Sequence, residues 1–267
     1  MTIFWGVIAL VSMVPAILIN WLGTNTRASW LGRGALLLAL AGPSFVTMIH
    51  FGCQWDSGVS ISLWVTISFS LLLFLCFSLL VKDFEKLALL LLPYLFVLGI
   101  FALLWEGQSG NHSFNTEPDL WLVLHIMASI ITYALCTLAA ISAFAVLLRE
   151  RSLKAKKVEG RFIEKLPAVY VADRFQVSLL SMAEILLGLG ILTGIARQYS
   201  SYGSFIEFDH KTLLALIAFV VIALLLLLHS FIGIRGKNAV RIVLAVYLLM
   251  TLSYPGVKFV SDVLLGS

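Results

Sequence analysis

Runs of about twenty apolar residues recur along the whole chain with short polar breaks between them, and no other feature constrains the fold so tightly. Backbone buried in hydrocarbon must satisfy its own N–H and C=O groups, and within one such run only an α-helix does so. A barrel would need alternating strands of roughly ten residues, a pattern absent from this sequence. Of the 267 residues, 61% are hydrophobic and 12% charged, with mean hydropathy +1.03, which excludes an ordinary soluble domain. The expected fold is all-α: a polytopic membrane helix bundle of about eight transmembrane helices, forming a single transmembrane domain over residues 1–267.

Spans are predicted at 2–23, 32–51, 59–81, 87–105, 120–148, 175–196, 212–232 and 242–263. Nothing basic precedes the first run and no small-residue cleavage pattern follows it, so it reads as a retained helix and not a signal peptide. Of the 18 Lys and Arg residues, 15 fall in or beside the loops after helices one, three, five and seven. The positive-inside rule then puts both termini outside and the loop Arg149 to Arg174 in the cytoplasm, as expected for a bacterial inner membrane. That loop reads as a topology determinant drawn to anionic head groups of the lipid bilayer, or as a docking site for a partner. The net charge of +4 therefore speaks to topology, and no nucleic-acid partner is expected.

The outer stretch Glu106 to Asp119, which includes His112, reads as a plain solvated loop. Trp5, Trp21, Trp55, Trp64, Trp105 and Trp121 mostly lie near predicted helix ends and read as an interfacial belt. Cys53, Cys76 and Cys136 have no metal spacing; the last two sit in apolar runs and read as buried small hydrophobes. In the last helix, Tyr254-Pro255-Gly256 predicts a kink or an early end.

Chemistry concentrates between His125 and Lys211. With the topology above, His50 ends helix two at the outer side, His125 lies about one turn inside the outer end of helix five, and His210 begins helix seven there. Imidazole is the commonest neutral ligand for transition metals and haem iron, and facing helices can hold it. Each histidine alone is equally explained as an amphipathic anchor; His125 and His210 are the pair with the stronger claim, and His50 the weaker. His229, near the cytoplasmic end of helix seven, is either an inner ligand or a satisfied polar residue. Glu184 falls near the middle of helix six. A charge there costs on the order of 2.5–3.5 kcal/mol, so Glu184 should be neutral, paired or facing a wet cavity, either as a proton relay or as an interhelical hydrogen bond. Gly188, Gly190 and Gly194 follow it and admit a close neighbour.

Several stretches in order carry a resemblance: LHIMASIITYALCTLAAISAFAVLLRERSLK, LPAVYVADRF, SMAEILLGLGILTGIA, a helix ending LLLLLHSFIGIRGKNA, and LSYPGVKFV. Residues 120–267 thereby resemble the cytochrome c assembly proteins, most nearly a CcsA-like inner-membrane branch with eight helices. Members handle haem for attachment to apocytochromes through a tryptophan-rich outer loop, the WWD motif, flanked by external histidines. The resemblance implies that His125 stands at the first external haem-ligand histidine and His229 at the intramembrane histidine before the glycine- and arginine-rich turn. Tyr202-Gly203 and Phe208-Asp209-His210-Lys211-Thr212 stand where the family has its WG and WDPKE elements. This chain departs from the pattern: the loop RQYSSYGSFIEFDHK contains no tryptophan, and no histidine follows the final helix before Ser267.

The expectation is a protein that binds or handles haem at its outer face, a carrier or assembly factor more than an enzyme. His125 and His210 would be metal ligands, with Tyr202 and Phe208 against the macrocycle and Asp209 and Lys211 near its propionates or behind the ligands. Other membrane proteins of cytochrome maturation would be its partners. Two alternatives stay open: an ion-coupled transporter using Glu184, and a ligand-free membrane scaffold acting through the basic loop.

Overall fold

The computed structural model describes residues 2–22, 30–53, 58–106, 120–155, 160–202, 210–233 and 236–252. The elements are α1 (Thr2–Leu22), α2 (Trp30–Cys53), α3 (Val59–Leu80), a 3-10 turn (Phe84–Leu87), α4 (Ala88–Leu104), α5 (Leu120–Ala155), the short α6 (Arg161–Glu164), α7 (Val169–Tyr202), α8 (His210–Phe231) and α9 (Lys237–Thr251). Among the described residues there is no strand, and seven helices are long and apolar enough to cross a membrane. The fold is a polytopic helical membrane bundle. Within the described residues α9 has 15 residues, fewer than a span needs, and the Tyr254-Pro255-Gly256 turn expected beyond it lies outside them.

The helices alternate up and down, so the bundle has a His125 end and an Arg149 end. α5 is central: it packs against α3, α7 and α9, with α1, α2, α3 and α4 forming one side and α7, α8 and α9 the other. The pairing of α5 with α7 is the most extensive in the molecule.

Four expectations need correction. Arg149 to Arg174 is not a loop: α5 runs to Ala155, α6 occupies Arg161–Glu164 and α7 starts at Val169. At 36 and 34 residues, α5 and α7 are roughly 50 Å long, well beyond a hydrocarbon core of about 30 Å, so their polar ends continue as helix outside it. The Arg149 end is stitched together by its own charges. Arg149 Nη2 donates to the carbonyls of Glu164 (3.2 Å) and Leu166 (2.7 Å), and Lys165 Nζ donates to Trp21 O at 2.7 Å, capping α1. A Cβ on Gly236 would lie 2.5 Å from Glu150 Oε1, and its φ of +66° also demands glycine. That seat brings the Glu150 carboxylate to the N-terminus of α9, where the helix dipole favours negative charge.

Trp64 is not part of an interfacial belt. It is fully buried where α3 meets Gly6 of α1 and Gly99 of α4, whose missing side chains make room for the indole. Trp21 and Trp121 are exposed, as an interfacial position requires. Of the two cysteines expected inside, Cys136 is buried, but Cys76 is exposed on the lipid-facing side of α3. Periodicity cannot separate these fates in helices apolar all round. Glu106, assigned to a solvated loop, is 2% exposed at the end of α4 and faces His50 of α2.

Candidate functional site

His125 lies on α5 five residues after its start, and α7 runs antiparallel beside it. Nδ1 of His125 is 2.8 Å from the carbonyl oxygen of Gly190. A carbonyl can only accept, so Nδ1 carries a proton, and the tautomer this selects has its lone pair on Nε2. A ring nitrogen whose partner atom donates to backbone is the arrangement that orients metal-ligating histidines. Gly194, one turn further along α7, completes the seat: a Cβ there would come within 3.2 Å of both Cε1 and Nδ1 of the imidazole. Ser129 Oγ donates to the His125 carbonyl at 2.8 Å, holding the turn of α5 that presents the ring.

The three glycines of α7 divide their work. Gly190 and Gly194 face α5, with Ala128 Cβ 3.7 Å from a Cβ built on Gly190, whereas Gly188 faces Phe219 of α8 at 3.3 Å. Reading the register through these contacts, the backbone of His210 lies roughly 10 Å nearer the end of the bundle than His125, and His229 roughly 20 Å toward the opposite end. His125 and His210 therefore belong to one end, and His229, half-buried, to the other. The side chains of Tyr202, His210 and Lys211 lie outside the described residues, as do Phe208 and Asp209 altogether. Among the described residues no three His, Cys, Asp or Glu side chains group as a metal cage.

His50 also lies at the His125 end, but its Nε2 is 3.9 Å from Glu106 Oε1. The pair joins the end of α2 to the end of α4, and a Cβ on Gly6 would approach Glu106 Oε2 to 3.1 Å. Sequence gave no sign of this carboxylate, because the helix hydropathy ends at Trp105 and turn formers begin at once.

Glu184 lies fifteen residues into α7, at the middle of the helix, and both its carboxylate oxygens are buried without a hydrogen-bond partner among the described residues. On the far side of α5, Tyr94 and Tyr247 share a hydroxyl–hydroxyl hydrogen bond, Tyr133 Oη is 3.2 Å from Thr251 Oγ1, and Thr137 Oγ1 is 3.5 Å from Tyr247 Oη. This tyrosine cluster ties α4 and α9 to α5. Its members are scattered singly through three apolar runs, so only the tertiary structure reveals them.

Comparison with known proteins gives a consistent picture. The family model described as cytochrome C assembly protein matches residues 57–265, reaching back to α3 and well beyond the region where the sequence resemblance was evident. A protein of Azospirillum brasilense described as an uncharacterized 28.8 kDa protein in the nifR3-like 5' region is 42% identical over 271 residues, 99% of this chain and 98% of its own length. The inner membrane protein YpjD of Escherichia coli K12 is 25% identical over 78% of each chain. The cytochrome c biogenesis protein CcsA of Chlamydomonas reinhardtii is 25% identical over 61% of this chain and 44% of its own length. No solved structure matches.

Proposed function

This chain belongs to the cytochrome c assembly protein family, and from that premise we propose that it handles haem at the His125 end of its bundle, on the outer side of a bacterial inner membrane. Family membership carries a role in cytochrome c biogenesis; the haem site rests on one observation, the seating of His125. Its Nδ1–H is engaged by the Gly190 carbonyl, so Nε2 is the oriented ring nitrogen left to act as a donor. Such a donor fits a haem iron, which histidine holds in many haem proteins. Haem is cargo in this reading, and the iron brings its own affinity for imidazole.

The chain's own part is to fix the ring. Gly190 and Gly194 let α7 approach α5 closely enough for the imidazole to sit against the α7 backbone. Exposed Trp121 and Leu124 lie on α5 within a turn of His125 and offer apolar surface to a flat macrocycle. His210 is the proposed second ligand, starting α8 at the same end. Tyr202 and Phe208 supply aromatic rings beside it in place of the family's tryptophans, with Asp209 and Lys211 near the propionates. His229, at the opposite end, would serve a separate inner position and not the same macrocycle. Both termini then face outward, and the charged Arg149 end, folded into helix, faces the cytoplasm.

The test is an absorption spectrum of the purified protein from haem-replete cells, oxidised and then dithionite-reduced. The expected result is a Soret band that shifts on reduction and is lost in His125→Ala. A colourless wild-type protein, or an unchanged spectrum in His125→Ala, would remove the reading.

A further inference from the structure

The seam between α5 and α7 holds more unsatisfied polar atoms than a structural helix pair requires. On α7, both side-chain polar atoms of Gln176, which is 0% exposed, are buried without a hydrogen-bond partner among the described residues. The same holds for Asp173 Oδ1, for both oxygens of Glu184 and, on α5, for Thr132 Oγ1. Each such group forfeits about 1–3 kcal/mol if left dry, so native proteins satisfy them, with water where protein cannot reach.

These groups form one line. The 24 steps from His125 to Arg149 are matched by the 24 from Leu166 to Gly190, since His125 meets the Gly190 carbonyl and Arg149 the Leu166 carbonyl. In that register Thr132 is level with Ala183, beside Glu184. Ala139 is level with Gln176, and Ser142 with Asp173. Small residues therefore stand opposite the polar ones along the lower half of the seam. Ala139 has nothing to offer Gln176, and the Ser142 hydroxyl is already given to the Leu138 carbonyl at 2.9 Å. With alanine at its level, the buried Gln176 amide has no side-chain partner there, and its hydrogen bonds fall to a small polar molecule such as water.

We propose that this seam holds a line of bound water and carries protons between the Arg149 end of the bundle and Glu184. Asp173 is its mouth, next to the exposed Arg174, Gln176 its first interior anchor, and Glu184 with Thr132 its inner terminus. Gln176 to Glu184 is roughly 12 Å along the helix, a distance a few waters bridge. Each transfer makes one O–H bond and breaks another, passing a proton from water to water and finally to one carboxylate oxygen of Glu184, which returns it by the same route. Only water is needed as donor and acceptor. The path is independent of haem, because its members lie below the His125 seat and it holds whether or not iron is bound.

The test is the carboxylic-acid C=O stretch of Glu184 by infrared spectroscopy of the full-length protein, assigned by its loss in Glu184→Gln. On transfer from H2O to D2O the band should shift promptly in the wild type. Ala139→Leu, which sets a bulky apolar side chain level with Gln176, should slow the shift many-fold while leaving the band. Gln176→Leu, close in volume and lacking the amide, should do the same and stands in if the alanine variant does not fold. A wild-type band that fails to shift overturns the proposal, as does the lack of any Glu184 acid band. A shift equally fast in both variants overturns it too, since water would then reach Glu184 by another way.

Discussion

His50 and His125 sit at the same end of the molecule on neighbouring parts of the bundle, yet they are held in opposite ways. His50 points Nε2 at the Glu106 carboxylate, 3.9 Å away, and so spends that nitrogen on joining α2 to α4. His125 spends Nδ1 on a backbone carbonyl and keeps Nε2 for something else. Their surroundings differ in the same sense. The α1–α4 side is packed with large apolar groups, Met13, Trp64, Leu71, Leu91 and Leu95 among them, all essentially inaccessible. Across the bundle, α5 and α7 meet through the smaller Gly190, Gly194, Ala139 and Ser142. His50 fastens helices, whereas His125, held through a backbone carbonyl, keeps a ring nitrogen for the ligand proposed above.

The sharpest way to break this contrast is to remove each ring in turn. His125→Ala should abolish the Soret band, whereas His50→Ala should leave it in place; the reverse result would exchange the roles of the two sides. Gly194→Ala is the next largest effect. Its Cβ at 3.2 Å from the imidazole makes the ring shift by a few tenths of an ångström against the Gly190 carbonyl, and disturbing such a supporting contact typically weakens ligation about 10–100-fold. Haem titration would measure it, with Gly188→Ala as a comparison because Gly188 faces Phe219 and not His125.

Glu106→Ala should leave haem binding intact and lower stability in detergent by about 1–3 kcal/mol, because it removes the buried partner of His50. Thermal unfolding reads this directly; a loss of haem with no loss of stability would place Glu106 in the site instead. Tyr247→Phe should have the smallest effect, about 1 kcal/mol, by removing the hydroxyl shared with Tyr94 and approached by Thr137. A null result there would mean that α9 is held by packing alone.

Much of this molecule was legible from local composition. Hydropathy sums over neighbours in sequence, so seven spans and nearly all their boundaries followed from windows of about twenty residues. The polar arms of α5 and α7 did not, because a hydropathy window ends where the lipid ends, not where the helix does. His125 was singled out from its place in the chain and from family likeness, while its carbonyl partner and its glycine seat were invisible. They lie 65 residues away or more and act through a backbone atom, which side-chain identity does not announce.

The sequence by itself determined that the chain crosses a membrane as helices, where the apolar spans fall, and to which family it belongs, since each of these follows from residue order. Only the tertiary structure decided which face of each helix is covered. That choice buried Trp64 and Glu106, left Cys76 toward lipid, and lined up Thr132, Gln176 and Glu184 in one seam. In a helix apolar all round, no moment in the sequence marks the covered face. The face is set by helix pairing and register, properties of two segments together and of neither alone.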